Sequence, residues 1–300
     1  MNGILPLWKP KGMTSHDCVM RMRRIFKTKK VGHTGTLDPE VEGVLPICIG
    51  QATKIVPFLT ATTKTYEAEL TLGTATETED KHGATIEVVP VDHPPAKHEV
   101  EEVLKSFVGE ITQIPPMYSA VKVNGKKLYE YARANQTVER PQRQVTIFRI
   151  TPKDSSRWTT TACRFEVECS KGTYIRTLCV DIGKALGYPA HMSDLVRTKT
   201  GAIHAEDTIR LEEVEAVTTT DGLAQLLLPM TMGITHLDVL YVDTDLRKRV
   251  QYGQKLMQPK QPLKTNPFAV MYQDELLAIY QKHPDHDDQI KPVRVFGERE

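Results

Sequence analysis

The spacing of apolar positions changes several times along the chain, and each change predicts an element. Ile4-Leu5-Pro6-Leu7-Trp8-Lys9 is a short apolar run that predicts a strand, closed by a Pro10-Lys11-Gly12 turn. Thr14 and Asp17 have capping-box spacing, with Asp in place of the usual Glu. The helix they open carries Cys18, Met22 and Ile25 on one face and a basic cluster on the others. Gly43 to Gly50 is an apolar run of strand length, and Gln51 to Leu59 predicts a short helix. From Lys64 to Leu72 the alternation has period two: Tyr66, Ala68, Leu70 and Leu72 face inward, and Thr65, Glu67, Glu69 and Thr71 face outward. Ala84 to Val89 predicts another strand. Val100, Val103, Leu104 and Phe107 mark a helix that Gly109 ends.

The stretch from Ile114 to Arg143 differs in character. It holds Pro115-Pro116, the hairpin signal Asn124-Gly125, and then Leu128-Tyr129-Glu130-Tyr131-Ala132-Arg133. Lys122, Lys126, Lys127, Arg133, Arg140 and Arg143 are strung along it. A basic, aromatic-bearing excursion between strands is suited to clamping nucleic acid. It is equally compatible with an insertion that packs on itself. Val145 to Ile150 and Ala162 to Cys169 alternate as strands. Lys171-Gly172-Thr173 then turns into a helix with Ile175, Leu178, Cys179, Ile182 and Leu186 inward, Gly187 as its stop and Arg176 in its first turn. After a junction at Leu211 to His236 the pattern becomes β-rich. A strand and a short helix bearing Arg247, Lys248 and Arg249 fall in Tyr241 to Leu256, a hairpin over Phe268 to Tyr280, and a last strand at Val293 to Phe296.

These elements predict an α+β chain, with strands and helices mixed in residues 1–236 and a small β-rich appendage in residues 237–300. Residues 113–144 form an insertion in the first. The chain has 300 residues, 40% hydrophobic and 26% charged, which fits one large domain and one small one. No apolar run approaches the roughly 20 residues of a membrane span, and Met1 to Lys9 lacks the apolar core of a secretory signal. The five cysteines form no CxxC pair, which predicts reduced, buried thiols and a cytoplasmic location. No His or Cys partners stand at zinc spacing, so no metal is expected.

The net charge of +1 decides nothing, but its distribution does. Arg21, Arg23, Arg24, Lys27, Lys29 and Lys30 lead into a glycine-rich loop. Residues 122–176 hold twelve Lys or Arg against five acids, whereas residues 67–110 hold eleven acids against three Lys. Segregation of this kind gives a near-neutral protein a basic face for a polyanion. A solvated helix face would explain residues 21–30 alone equally well.

The candidate chemistry sits in Val31-Gly32-His33-Thr34-Gly35-Thr36-Leu37-Asp38-Pro39. Glycines let the backbone turn tightly, and Pro39 drives Asp38 into extended backbone, so a single carboxylate is presented from a stiff loop. Read alone, this is also a glycine-rich turn with a solvated Asp. His33 can stack or hold a phosphate, or be a loop histidine. Tyr66 alone reads as a core tyrosine, and Arg176 as a helix-start arginine at the surface.

Five stretches together narrow the reading. They are Leu7-Trp8-Lys9-Pro10-Lys11-Gly12-Met13-Thr14-Ser15, Lys30 through Pro39, Lys64-Thr65-Tyr66, Gln113-Ile114-Pro115-Pro116-Met117-Tyr118-Ser119-Ala120, and Lys171-Gly172-Thr173-Tyr174-Ile175-Arg176-Thr177-Leu178. In this order, and nearly end to end, the chain resembles the TruB family of tRNA pseudouridine-55 synthases. Ala190-His191-Met192-Ser193-Asp194-Leu195 matches too, with Pro189 and Val196 where the family often has Gly and Arg. The C-terminal part resembles the family's PUA-like RNA-binding domain through weaker motifs. The resemblance implies the architecture: a mixed, largely antiparallel central sheet with flanking helices and a cleft at its middle, the pseudouridine synthase fold, in residues 1–236, and a small β-barrel-like domain in residues 237–300.

The resemblance implies that a uridine in the T-loop of tRNA is converted to its C-glycoside isomer. There is no net redox change or group transfer, so no cofactor is expected. It implies Asp38 as the nucleophile or the carboxylate assisting glycosidic cleavage, Tyr66 as a base-stacking ring or proton-transfer group, and Arg176 as the planar cation that holds Asp38. His33, Tyr66, Tyr174 and Leu195 are the expected substrate-binding residues. Arg21, Arg23, Arg24, Lys64, Lys122, Lys126 and Lys127 are the expected RNA contacts. The target base must be flipped out of its loop at a cost of a few kcal/mol, and opening that loop would also suit a tRNA-folding chaperone. No protein partner is implied, and the chain is taken as a monomer. Two other classes were weighed. A glycoside hydrolase would need a second carboxyl group, which neither Glu40 nor Glu42 is marked to supply. A non-catalytic RNA chaperone would leave the set Asp38, Tyr66 and Arg176 unexplained.

Overall fold

The computed structural model describes residues 1–153 and 161–297, and these form two compact units. The first comprises Met1–Glu40, Val44–Thr62 and the chain from Thr200 onward; the second comprises Val41–Gly43 and Thr63–Lys199.

In the first unit the strand Gly3–Lys9 lies between Ile209–Arg210, which runs parallel to it, and Glu42–Ile49; Val31–His33 pairs antiparallel with the latter. Gly3–Lys9 and Glu42–Ile49 are buried almost throughout, because both faces are covered. On one face lies the helix Ser15–Ile25. Thr14 and Asp17 close the expected capping box, and Cys18, Val19 and Met22 pack with Leu5, Leu7, Leu45 and Ile47. On the other face Ile4, Val44 and Cys48 share a core with Ile55, Leu59, Ala269, Met271, Leu276, Ile279 and Phe296.

The last five of those residues belong to the C-terminal part. It is a curled five-stranded sheet in the order Val239–Tyr241, Phe268–Tyr272, Glu275–Lys282, Gln289–Val295 and Leu256–Met257. Its other face has its own core, in which Phe268, Val270, Leu277, Tyr280 and Ile290 pack with Val250 of the helix Thr244–Gln251. About sixty residues is near the lower size limit for a free-standing domain, and this sheet gives one face to the N-terminal core.

In the second unit the strand order is Ala190–Thr200, Lys64–Leu72, Ala162–Cys169, Arg143–Lys153 and Gly109–Gln113. Glu42 and Gly43 run parallel beside Val196 and Arg197. Gly43 has φ 124°, and a Cβ there would meet the Arg197 carbonyl oxygen at 2.2 Å, so only glycine fits. Helix Lys97–Ser106 packs on the strand Arg143–Lys153, and helix Ile175–Ala185 packs on Lys64–Leu72. The insertion turns at Asn124 and Gly125, both at positive φ, between Lys122–Val123 and Lys126–Lys127, and continues into a short helix, Leu128–Arg133. Its base is packed, with Val121 and Leu128 buried, while Lys122 and Lys126 are exposed. Self-packing and a basic surface thus coexist.

One strand departs from its pattern. Lys64 and Thr65 are both buried and Tyr66 is half-buried, so the alternation of Lys64–Leu72 holds only from Glu67 on. Successive buried residues mean that both faces are covered at that end.

Truncation at residue 237 is expected to uncover the core around Ile4, Val44, Ile55 and Leu59. The shortened chain should lose its cooperative thermal transition or precipitate; an unchanged melting temperature would show the C-terminal sheet to be an independent domain.

Candidate active site

Asp38 is half-buried in the first unit, between two residues whose backbones are tied down. The Leu37 amide donates to the Ser15 hydroxyl at 2.9 Å, and that hydroxyl donates to the Leu37 carbonyl at 3.2 Å. The Pro39 carbonyl accepts from the Gly12 amide and from Lys9 Nζ, each at 2.9 Å. Lys9 is fully buried, and its Nζ also donates to the Pro10 carbonyl at 2.9 Å. Further up the loop the Thr34 amide donates to Pro46 at 3.2 Å. The loop is therefore fastened on both sides of Asp38, by the N-terminal stretch Leu7–Ser15 and by the buried strand after it. His33 is half-buried at the end of Val31–His33, opposite Ile47.

Sequence reasoning had given Lys9 and Ser15 no role. Their signal was present in Leu7–Ser15: a lysine ending an apolar strand run is a candidate for internal hydrogen bonding. Nothing local says what it reaches.

In the second unit Tyr66 and Leu195 stand on neighbouring strands, Tyr66 half-buried and Leu195 8% exposed. Tyr174 is the residue before helix Ile175–Ala185, and Arg176 follows in its first turn. Arg176 is 6% exposed, which removes the surface reading. One terminal nitrogen donates to the Thr78 carbonyl and the other to the Tyr118 carbonyl, both at 2.9 Å, and the Asp80 carboxylate stands 3.9 Å away. The Asp80 carboxylate also accepts from the Thr78 hydroxyl at 2.8 Å and the His82 amide at 2.9 Å, which shapes the turn presenting the Thr78 carbonyl. Beside it Glu79 adopts φ 63° and accepts from the Thr177 hydroxyl at 2.7 Å; burial pushes its carboxyl above the ordinary range. Thr78 and Asp80 were not anticipated, because Glu77-Thr78-Glu79-Asp80-Lys81-His82 reads as a solvated acidic turn.

Lys64, expected among the RNA contacts, is only 5% exposed and is not part of the basic surface. Burial, and then the neighbouring Arg197, pull its amine down to about 8. The other expected contacts are accessible. Arg21 and Arg24 are exposed and Arg23 is half-buried, with Arg21 paired to Glu215 at 2.7 Å. In the insertion Lys127 and Arg133 lie over the Tyr129 ring and Lys126 over Tyr131, so cations and rings are presented as mixed faces. Arg247, on the helix Thr244–Gln251, is engaged by the C-terminal sheet, by Glu275 at 2.7 Å and by the Tyr272 ring.

Among the described residues no group of three or more His, Cys, Asp or Glu is placed to hold a metal ion. Likewise no helix there is long and apolar enough to cross a membrane. All five cysteines are free and buried.

The mixed α+β fold with its curled C-terminal sheet belongs to a class of RNA-modifying enzymes, the pseudouridylate synthases, by the family models that match the chain. Two solved structures share it over 99% of this chain: one described as a Cbf5-Nop10-Gar1 complex, with TM-score 0.71, 29% identity and 84% of that chain covered. The other is an H/ACA RNP bound to a substrate RNA containing 2'-deoxyuridine, with TM-score 0.73, 25% identity and 86% covered. A family model described as the N-terminal domain of TruB family pseudouridylate synthases matches residues 23–175. One described as the C-terminal domain of tRNA pseudouridylate synthase B matches residues 176–235. The tRNA pseudouridine synthase B of Oceanobacillus iheyensis is 60% identical, with 99% of this chain and 98% of that one covered. The enzyme of the same name from Bacillus subtilis is 49% identical, with 100% and 99% covered. The chain belongs to the TruB family of pseudouridylate synthases.

Two outcomes follow. Ser15→Ala removes both hydroxyl bonds to the Leu37 peptide and should lower stability by about 1–3 kcal/mol, read from denaturant unfolding. For Lys64, a folded-state amine at about 8 against the ordinary 10.5 means that the fold opposes its charge. Wild-type stability should therefore rise, from this group, as pH increases from about 8 towards 10.5. Lys64→Met should be the more stable protein at pH 7, by roughly 3 kcal/mol at most. The gap should shrink over that pH interval; a gap independent of pH would mean that the amine is not held against its charge.

Proposed function

We propose that this protein isomerises the uridine at position 55, in the T-loop of tRNA, to pseudouridine, without a cofactor. The observation that carries the reading is the loop Gly35-Thr36-Leu37-Asp38-Pro39. Its aspartate is fastened on both flanks, in a chain 60% and 49% identical to proteins named tRNA pseudouridine synthase B. A carboxylate that must meet one sugar or base atom gains from a backbone fixed before the substrate arrives.

In the isomerisation the bond between uracil N1 and the ribose anomeric carbon breaks. The base turns, its C5 bonds to the same sugar carbon, and the C5 proton leaves while N1 gains one. Substrate and product have the same atoms and oxidation level. Asp38 assists the glycosidic cleavage. Tyr66 and Leu195 wall the flipped base, Tyr66 with a hydroxyl in reach of proton transfer, and Tyr174 and His33 complete the nucleotide contacts. Arg176, its guanidinium already oriented by the Thr78 and Tyr118 carbonyls, is the planar cation for the Asp38 carboxylate. Arg21, Arg23, Arg24, Lys122, Lys126 and Lys127 supply phosphate contacts along the T-arm. Lys64 supports the site from inside. Extracting the base opens the loop's tertiary pairing, and that opening is also the physical basis for a folding-chaperone role.

The test uses an in vitro transcribed tRNA and detection of pseudouridine at single-nucleotide resolution. Product should form at position 55 and at no other uridine of the T-arm. Asp38→Asn should retain RNA binding and its thermal transition while the rate falls by at least about a thousandfold, some 4 kcal/mol. Arg176→Lys keeps the charge without the planar fork and should stay measurably active, whereas Arg176→Ala should be slower. Product at another position, or full turnover in Asp38→Asn, would overturn the reading.

A further inference from the structure

The run Gln113 to Ala120 enters the scheme above only through the Tyr118 carbonyl, yet it holds two of that scheme's residues. Gln113 ends the strand Gly109–Gln113 and is 1% exposed. Its carboxamide makes a reciprocal pair with one peptide: Nε2 donates to the Tyr174 carbonyl at 3.1 Å, and Oε1 accepts from the Tyr174 amide at 2.9 Å. Tyr174 precedes helix Ile175–Ala185 and has no side-chain cap of its own. The glutamine thus does for this peptide what a paired strand would do. Asn and Gln carry a neutral donor and acceptor side by side in one plane at any pH, and Gln has the longer reach.

Five residues on, the Tyr118 carbonyl accepts from Arg176 at 2.9 Å. Pro115 and Pro116 lie between the two grips and restrict the backbone that joins them. The same run carries the basic insertion: the Ser119 carbonyl accepts from the Tyr129 amide at 3.2 Å, and the Val121 carbonyl from Leu128 at 2.8 Å. One stiff segment therefore joins the root of the insertion to the helix start that bears Tyr174 and Arg176.

We propose that Gln113 is a positioning residue for the isomerisation: its carboxamide fixes the Tyr174 peptide and, with the Tyr118 carbonyl, sets where the Arg176 fork stands. The inference rests on the reading that Tyr174 and Arg176 act at the uridine. A glutamine that merely satisfied buried backbone groups would affect stability and leave the rate of folded, RNA-bound enzyme untouched.

Gln113→Glu separates the two. It keeps the shape and replaces the donor NH2 by oxygen. As a carboxylate the side chain still accepts from the Tyr174 amide but sets oxygen against the Tyr174 carbonyl. As a carboxylic acid it donates to that carbonyl and restores the pair. Burial favours the acid form, so the exchange should fall in the pH range where the enzyme can be assayed. The readout is the single-turnover rate of the full-length protein on saturating in vitro transcribed tRNA, from pH 5.5 to 8.5. The temperature is set where thermal transitions show wild type and variants folded.

Gln113→Glu should be at least about tenfold slower than wild type at the alkaline end. The ratio to wild type should climb as pH falls, with RNA affinity unchanged throughout. Gln113→Met, which lacks both bonds, should be slow at every pH with no recovery. Rates that track wild type at all pH values, or loss of fold in both variants, would make Gln113 a structural residue and overturn the proposal. Arg176→Ala run alongside tells the two failures apart. If that variant is slow while the Gln113 variants match wild type, this inference alone falls. If Arg176→Ala matches wild type, the functional reading falls and takes the inference with it.

Discussion

The hydrogen bonds converging on the Pro39 carbonyl, from a buried ammonium and a glycine amide, are the constraint on which the first unit depends. An ammonium removed from water costs several kcal/mol unless its protons find acceptors. Lys9 finds the carbonyls of Pro10 and Pro39, one on its own strand and one on the loop, so satisfying the charge and closing the loop are the same act. The requirement propagates outwards. Lys9 must end a buried strand to be dry, Gly12 must turn at positive φ to bring its amide round, and Ser15 must open a capped helix to meet Leu37. An aspartate between Leu37 and Pro39 then has little backbone freedom left.

The second unit meets the same demand with an arginine. Arg176 is buried, and the groups that orient it are carbonyls from two separate segments, a turn shaped by Asp80 and the root of the insertion. Carbonyl oxygens accept along the N–H directions of a guanidinium and so fix the plane of its fork. The Asp80 carboxylate, at 3.9 Å, adds an ion pair to these hydrogen bonds. Lys64 and Arg197 are a second buried cationic neighbourhood in this unit, and the depressed amine of Lys64 is its cost.

What was legible in the sequence was what is encoded locally. The Thr14–Asp17 box, the Asn124-Gly125 hairpin, the alternation of Ala162–Cys169 and the stop at Gly187 each depend on neighbours a few residues away, and each stands where expected. Asp38 was singled out for a different reason: its loop alone reads equally as a glycine-rich turn with a solvated Asp, and only its company with the other four stretches marked it. What could not be read was set by partners far along the chain. Lys9 gave no sign of reaching Pro39, nor Asp80 of shaping the turn that holds Arg176. The Lys64 pattern looked half-exposed because alternation reports one covered face, whereas both faces are covered at that end of the strand. The core that the C-terminal sheet shares with Ile4 and Val44 was not legible either, because its strands alternate by themselves and nothing local names their distant partners.

The distribution of buried polar groups carries this further. A fold selected for stability alone would replace Lys9, Lys64, Gln113 and Arg176 with apolar side chains of similar volume, since buried charges seldom repay their desolvation. Here they sit at the ends of strands or in first helical turns, beside the loops they hold. Stability is supplied by the hydrophobic cores of each unit, and part of it is given up where a polar group fixes a backbone position more narrowly than packing can. Hydrogen bonds define direction to within tens of degrees, whereas a leucine can be accommodated in several rotamers. Direction is what an isomerase that breaks and remakes bonds at a single sugar carbon needs, and these residues are where the chain gives up stability to obtain it.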